Sequence, residues 1–192
     1  MNTIEVGRRV FDVEIEALTR TRDSLGEVFG QLVDCFLGCR GKVITMGLGK
    51  SGHVARKIAS TLSSLGTPSS FLSPSDALHG DLGMVTKDDV LLMISFSGEA
   101  EEMKKILPIT RKTGCTVTAI TGAAGSFLER EADIAVVLPE ISEACPFGLA
   151  PTSSASAVMC YGDAIAVALC IRKGFRKEDF QRQHPSGALA SK

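Results

Sequence analysis

From Lys42 onward the chain alternates four short apolar runs, Val43 to Met46, Val90 to Ile94, Val117 to Ile120 and Ile134 to Leu138, with segments of helical spacing. Continuous apolar runs of that length are what strands buried on both faces look like. Between the first two runs Val54, Ile58, Leu62 and Leu65 recur every three or four residues, and between the next two so do Met103, Ile106 and Leu107. Strand, helix, strand, helix predicts an α/β fold with a parallel sheet and helices on both sides. Right-handed crossovers then bring every strand-to-helix loop to one edge of that sheet. Ligands of such sheets bind at that edge.

The flanks are helical. Residues 4–37 read as two helices with a break near Asp23 and Ser24, where Ser24 followed by Glu27 has the pattern of a capping box. Pro139 to Pro151 is an irregular stretch with three prolines, and a long apolar helix is expected from Thr152 to near Gly174. Arg176 to His184 reads as a short helix stopped by Pro185. A single domain is expected for the 192 residues, with helices over 1–40 and the sheet, crossover helices and tail over 41–192.

Composition removes several classes of function. With 21 basic and 22 acidic residues the net charge is −1, and no run of like charges tracks a phosphate backbone, so nucleic acid is not expected as a partner. Acidic Glu5, Asp12, Glu14 and Glu16 interrupt the first twenty positions, unlike a secretory signal. The apolar stretch Ala155 to Ile171 is broken by Gly162 and Asp163 and is shorter than the roughly 20 residues of a membrane helix, so no membrane partner is expected. These features predict a cytoplasmic protein. Six cysteines, without CxxC pairs or zinc-type histidine spacing, read as reduced thiols and mostly small core residues; no metal site is expected.

Chemistry is expected in three loops. The first run ends in Gly47-Leu48-Gly49-Lys50-Ser51-Gly52-His53 and passes into a helix, where free N–H groups and the positive dipole end favour an anion, most simply phosphate. The loop has the glycines of a dinucleotide motif but with Lys50-Ser51 between them, and its spacing is not that of a P-loop. Ser95-Phe96-Ser97-Gly98-Glu99 and Thr121-Gly122 end later runs. Hydroxyls beside glycine at successive strand ends point to shared phosphate oxygens, although each alone would serve as an N-cap.

These loops resemble the sugar isomerase (SIS) family, and within it the arabinose-5-phosphate isomerase branch. The resemblance runs from about Val43 to Leu189 through Gly-Lys-Ser-Gly-His at 49–53, Ala-Leu-His-Gly-Asp-Leu-Gly-Met at 77–84 and Ser-Gly-Glu at 97–99. It continues through Glu-Ala-Cys-Pro at 143–146, Leu-Ala-Pro-Thr-Ser-Ser at 149–154 and His-Pro-Ser-Gly-Ala-Leu at 184–189. It implies a three-layer αβα sandwich around a five-stranded parallel sheet of flavodoxin-like type. The implied activity interconverts D-arabinose 5-phosphate and D-ribulose 5-phosphate without a cofactor, feeding the Kdo sugar of lipopolysaccharide or capsule. A homotetramer is implied, with His184 reaching a neighbouring subunit's site. Family members commonly carry two CBS domains after this one, whereas the present chain stops at Lys192, as an SIS-only form or a fragment would.

The resemblance marks Lys50, Glu102, Glu143 and His184 as catalytic. An aldose–ketose isomerase needs a base, an acid and a group that steadies the enediolate. Lys50, a cation at a helix start, suits phosphate or the carbonyl oxygen. Glu143, in the proline-rich loop, is the first choice of base because partial burial would raise its pKa, and Glu102 is the second. A histidine such as His184 suits ring opening or proton shuttling. Substrate contacts are expected from Gly49, Ser51, His79, Ser95, Ser97, Gly98 and Thr121, and from Thr152 and Ser153 unless these merely cap the long helix. The rival readings are a non-catalytic sugar-phosphate sensor and an isomerase of another sugar phosphate.

Overall fold

The computed structural model describes residues 2–185. Helices α1 (Thr3–Asp23) and α2 (Glu27–Leu37) lead into a β/α succession: β1 (Val43–Gly47), α3 (Gly49–Ser64), β2 (Ser69–Phe71), the short α4 (Pro74–Ala77) and a 3-10 turn (Asp81–Met84), β3 (Val90–Ile94), α5 (Glu101–Thr113), β4 (Thr116–Thr121), α6 (Phe127–Glu131) and β5 (Ile134–Val137). Two further helices follow, α7 (Ser153–Arg172) and α8 (Lys177–Gln183). All strand pairs are parallel and the sheet order is β2-β1-β3-β4-β5.

Five strands are present where hydrophobic runs mark four. The missing one, β2, is the three-residue edge strand Ser69-Ser70-Phe71, half-buried and too polar to stand out as an apolar run. Its chemistry is legible only as an edge: Ser69 Oγ donates to the Val43 carbonyl (2.7 Å). By contrast β1 and β3 are buried at every position.

The sheet divides two cores. One holds α2, α3 and α7 through Leu32, Phe36, Ile58, Leu62, Tyr161 and Ile165; the other holds α4, α5 and α6 through Ala77, Met103, Ile106 and Leu128. Each fully buried aliphatic side chain of this kind contributes about 1.5–3 kcal/mol over its exposed state. Helix α7 is 20 residues long and, by length and composition, long and apolar enough to cross a membrane, a longer span than its interruptions suggested. Nine of its residues are buried against the core, and its Asp163 pairs with Lys57 of α3.

Two local expectations are corrected. Ser24 does not open α2: it ends α1, its hydroxyl donating to the Thr21 carbonyl (2.8 Å), and α2 starts from Gly26 without a side-chain cap. The capping box lies at the other end of α1, where Asn2 and Glu5 exchange bonds of 2.9 Å. Of the six cysteines only Cys115 is buried, and Cys160 is exposed.

At the N-terminal edge of the sheet, Asp89 is a fastening. Its Oδ1 accepts the Lys42 N–H (2.8 Å), and its Oδ2 accepts the Thr86 N–H (2.8 Å), the Thr86 hydroxyl (2.9 Å) and the Lys42 ammonium (3.2 Å). Burial raises its pKa, but those bonds outweigh it and hold the carboxyl below its ordinary value.

Candidate functional site

The order β2-β1-β3 places the topological switch point between β1 and β3, which run in register from Val43↔Val90 to Gly47↔Ile94. Helix α3 leaves β1 toward one core and α5 follows β3 toward the other, so the crevice between them is where ligands of such sheets bind. Close packing fixes the entry to α3: a Cβ on Gly47 would lie 2.7 Å from the Ser51 backbone, and one on Gly52 2.6 Å from the Gly47 carbonyl. Gly49 starts the helix at φ 52, in the left-handed region that glycine adopts at no steric cost.

The first turn of α3 is chemically unusual. Its first intrahelical bond is Gly52 N–H to the Leu48 carbonyl (3.1 Å), Leu48 supplies no side-chain cap, and no acid occupies the turn. The N–H groups of Gly49, Lys50 and Ser51 thus have no helical acceptor, and Lys50 adds positive charge where the dipole is already positive. Lys50 and Ser51, with Val54, Ile94, Phe96, Pro151, Ser154, Ala155 and Val158, line a small cleft of about 30 Å³ between the starts of α3 and α7.

The loops after β3 and β4 are tied to one another. Ser95 and Ser97 hydroxyls lie 3.4 Å apart, and Ser97 Oγ accepts the Glu99 N–H (3.4 Å). Gly98 sits so close beneath Ser126 and Thr121 that a Cβ would lie 2.2 Å from Ser126 Oγ. Ser97 is exposed and Ser95 is buried. Glu102, in the first turn of α5, is half-buried and makes no hydrogen bond or ion pair among the described residues. Its neighbours are committed: Glu99 and Glu101 both pair with Lys104 at 2.9 Å.

Several expected contacts turn out to be internal. Thr121 is fully buried; its hydroxyl donates to the Phe96 carbonyl (3.2 Å) and accepts the Ala123 N–H (3.2 Å), so it presents nothing to a ligand. Ser153 is also fully buried. Thr152 gives its hydroxyl to Glu143 (2.9 Å) and accepts the Ala144 N–H (2.9 Å). Neither residue caps α7, however: Thr152 makes no side-chain cap, and the buried Ser153 hydroxyl has no hydrogen-bond partner among the described residues.

Glu143 overturns the expectation of a raised pKa. Burial does push its carboxyl up, but the Ser154 hydroxyl, the Thr152 and Ser154 N–H groups and the Thr152 hydroxyl more than reverse this, and it lies below the ordinary carboxylate range. It is not among the residues that line the cleft, and it borders a trough of about 690 Å³ between the proline-rich loop and Val6, Arg9, Val10 and Val13 of α1.

The histidines lie farther out. His79, exposed on the loop after α4, donates Nδ1–H to the Ser75 carbonyl (2.8 Å). His184 bonds Ser64 Oγ through Nε2 (2.7 Å) and the Phe180 carbonyl through Nδ1 (2.9 Å). Ser64 is the last residue of α3, whereas Lys50 is its second, and a helix of 16 residues is about 24 Å long. Within one chain, His184 and Lys50 are at opposite ends of the same helix. Among the described residues no group of three or more His, Cys, Asp or Glu is placed to hold a metal ion.

The SIS domain family model matches residues 36–168. The chain belongs to the SIS domain family. Within that family it is 45% identical over 188 residues to arabinose 5-phosphate isomerase KdsD of Shigella flexneri, covering 98% of this chain and 57% of the relative. It is 43% identical to arabinose 5-phosphate isomerase GutQ of Salmonella typhi, covering 98% of this chain and 59% of that protein. The chain thus spans little more than half the length of these curated relatives. A solved structure from E. coli CFT073, in complex with arabinose 5-phosphate, superposes with a TM-score of 0.93 at 41% identity, covering 96% of this chain and all of that one. The SIS fold expected from sequence, with its five-stranded parallel sheet, is thereby established. Residues 186–189 of the last resembling motif lie outside the described residues.

Proposed function

We propose that the chain is an aldose–ketose isomerase interconverting D-arabinose 5-phosphate and D-ribulose 5-phosphate. The observation that carries this reading is the first turn of α3. Its three N–H groups, Lys50 and Ser51 stand at the switch point with no internal anion to satisfy them, and that is a seat for a phosphate or a developing oxyanion. The names of the KdsD and GutQ relatives and the arabinose 5-phosphate bound to the E. coli structure supply the sugar.

In this reading Gly49, Ser51 and Ser97 bind the phosphate, with Ser95 and Gly98 shaping the loop, and His79 orients the sugar. Lys50 steadies the oxygen on C1 as the enediolate forms. Glu102 takes the proton from C2; the electron pair left behind makes the C1–C2 double bond, and the proton returns to C1 to give the ketose. Glu102 is preferred over Glu143 because it alone of the two has no internal donors. His184 moves the hydroxyl proton between O2 and O1 from a neighbouring subunit, since its own chain holds it at the far end of α3. The working unit is therefore a homo-oligomer, proposed to be a cytoplasmic tetramer.

Purified protein incubated with D-arabinose 5-phosphate, beside a panel of hexose and heptose phosphates, should turn over the pentose selectively. Binding without turnover of any sugar would make it a sensor instead. For the shared site, Lys50→Ala and His184→Ala subunits, each inactive alone, should regain activity when mixed, because one site in each mixed pair keeps both residues. No recovery on mixing would sink the cross-subunit assignment.

A further inference from the structure

The segment between β5 and α7 is held mostly through side chains: the Arg20 guanidinium donates to the Glu140 carbonyl (3.3 Å), the Ala144 N–H to Thr152 Oγ1 (2.9 Å) and the Ala150 N–H to Cys145 Sγ (3.5 Å). Pro139, Pro146 and Pro151 cannot donate hydrogen bonds, and among the described residues the backbone of 139–151 bonds to itself once, from Gly148 N–H to the Cys145 carbonyl (2.9 Å). Phe147 and Leu149 at its tip are 81% and 82% exposed, so they contribute almost no packing. The N-terminus of α7 has a matching deficit: Thr152, at the N-cap position, makes no side-chain cap of its own.

Glu143 resolves both. One carboxylate oxygen accepts the Thr152 N–H (2.7 Å), the Thr152 hydroxyl (2.9 Å) and the Ser154 N–H (3.3 Å), and the other accepts the Ser154 hydroxyl. Three donors thus meet on one oxygen and a fourth on the other, so the carboxylate is held by four hydrogen bonds from the start of α7. Ser154 also lines the cleft beside Lys50 and Ser51, while Glu143 lies behind it, toward α1.

We propose that Glu143 is a positioning residue: it closes the N-terminus of α7, ties the 139–151 loop to that helix, and holds Ser154 in the cleft wall without transferring the substrate proton. The inference rests on the isomerase reading for its kinetic consequence and on the fold alone for its structural one. A carboxylate at a helix N-terminus is favoured by the dipole, and the lowered pKa of Glu143 follows from the same bonds. A positioning group matters to rate because a displacement of about 1 Å in a site wall costs on the order of 100-fold.

The two roles separate on replacement by glutamine. The Gln amide oxygen keeps the three donors from Thr152 and Ser154, and its NH2 donates to the Ser154 hydroxyl in return. Glu143→Gln should therefore keep kcat/KM within about tenfold of wild type, with the acid limb of its pH profile unmoved, while Glu102→Gln loses about 10²–10⁴-fold. Glu143→Ala, which removes every acceptor, should lose on the order of 10–100-fold in kcat and be cleaved faster within 139–151 by a protease. The inference is overturned if Glu143→Gln falls as far as Glu102→Gln while its proteolysis and sugar-phosphate binding match wild type. Should wild type turn over no sugar, the isomerase reading fails separately. Proteolysis then still decides: slow cleavage of wild type and Glu143→Gln with fast cleavage of Glu143→Ala supports the tether, and equal rates for all three refute it.

Discussion

Helices α3 and α7 pack against each other on one face of the sheet and begin at the same edge, yet their first turns are finished in opposite ways. The start of α7 is satisfied from within by Glu143, carried on the loop that precedes it. The start of α3 has no side-chain cap and no acid, and carries Lys50 instead. A protein under pressure only to be stable would treat both ends alike, because an acid in the first turn is worth about 0.3–1 kcal/mol. The contrast marks the start of α3 as donors reserved for an anion that comes from outside, and the start of α7 as scaffold.

The sharpest way to break that contrast is to give α3 an anion of its own. Ser51→Glu should raise the melting temperature slightly and weaken binding of arabinose 5-phosphate at least about 100-fold, because two like charges some 4 Å apart repel by about 4 kcal/mol at an effective dielectric near 20. Calorimetric titration reads the affinity; unchanged binding would mean the phosphate sits elsewhere. A middle-sized effect is expected at Thr121, whose hydroxyl is as internally committed as the Glu143 carboxylate. Thr121→Val should cost about 1–3 kcal/mol of stability in denaturant unfolding, with a smaller loss of affinity than Ser51→Glu. A larger loss of affinity than of stability would restore Thr121 as a ligand contact.

The smallest effect is in pH. The folded-state pKa of Glu143 is lowered, so its carboxylate stabilises the fold above the unfolded value of about 4.3 and stops doing so as pH falls through the folded value. The melting temperature of wild type should therefore exceed that of Glu143→Gln by the most near neutrality. The gap should shrink as pH drops below about 4 and be flat from pH 6 to 8. A gap that widened on acidification would mean the carboxyl is protonated in the fold.

The sheet was readable because β1, β3 and β4 are buried at nearly every position and rich in aliphatic residues, and the edge strand β2 was hidden because its serines satisfy a half-buried position with hydroxyls. The open first turn of α3 at 49–51, with neither a capping side chain nor an acid, was also readable from its glycine, lysine and serine at a strand-to-helix junction. Glu143 and Thr121 were misjudged for one physical reason. Burial can be inferred from a loop's composition, but the sign of a pKa shift, or the freedom of a hydroxyl, depends on which donors meet it in space. Ser154, eleven positions from Glu143, and Phe96, twenty-five from Thr121, give no local signal of those meetings.

Asp89 fastens Lys42 and Thr86 at the edge of the sheet opposite the cleft, where β1 and β3 begin. The strands are thus secured at one end and equipped at the other. Inheritance can exploit that separation: loops at the equipped end can exchange residues, and with them substrates, while the knot at the secured end keeps each intermediate sequence folded.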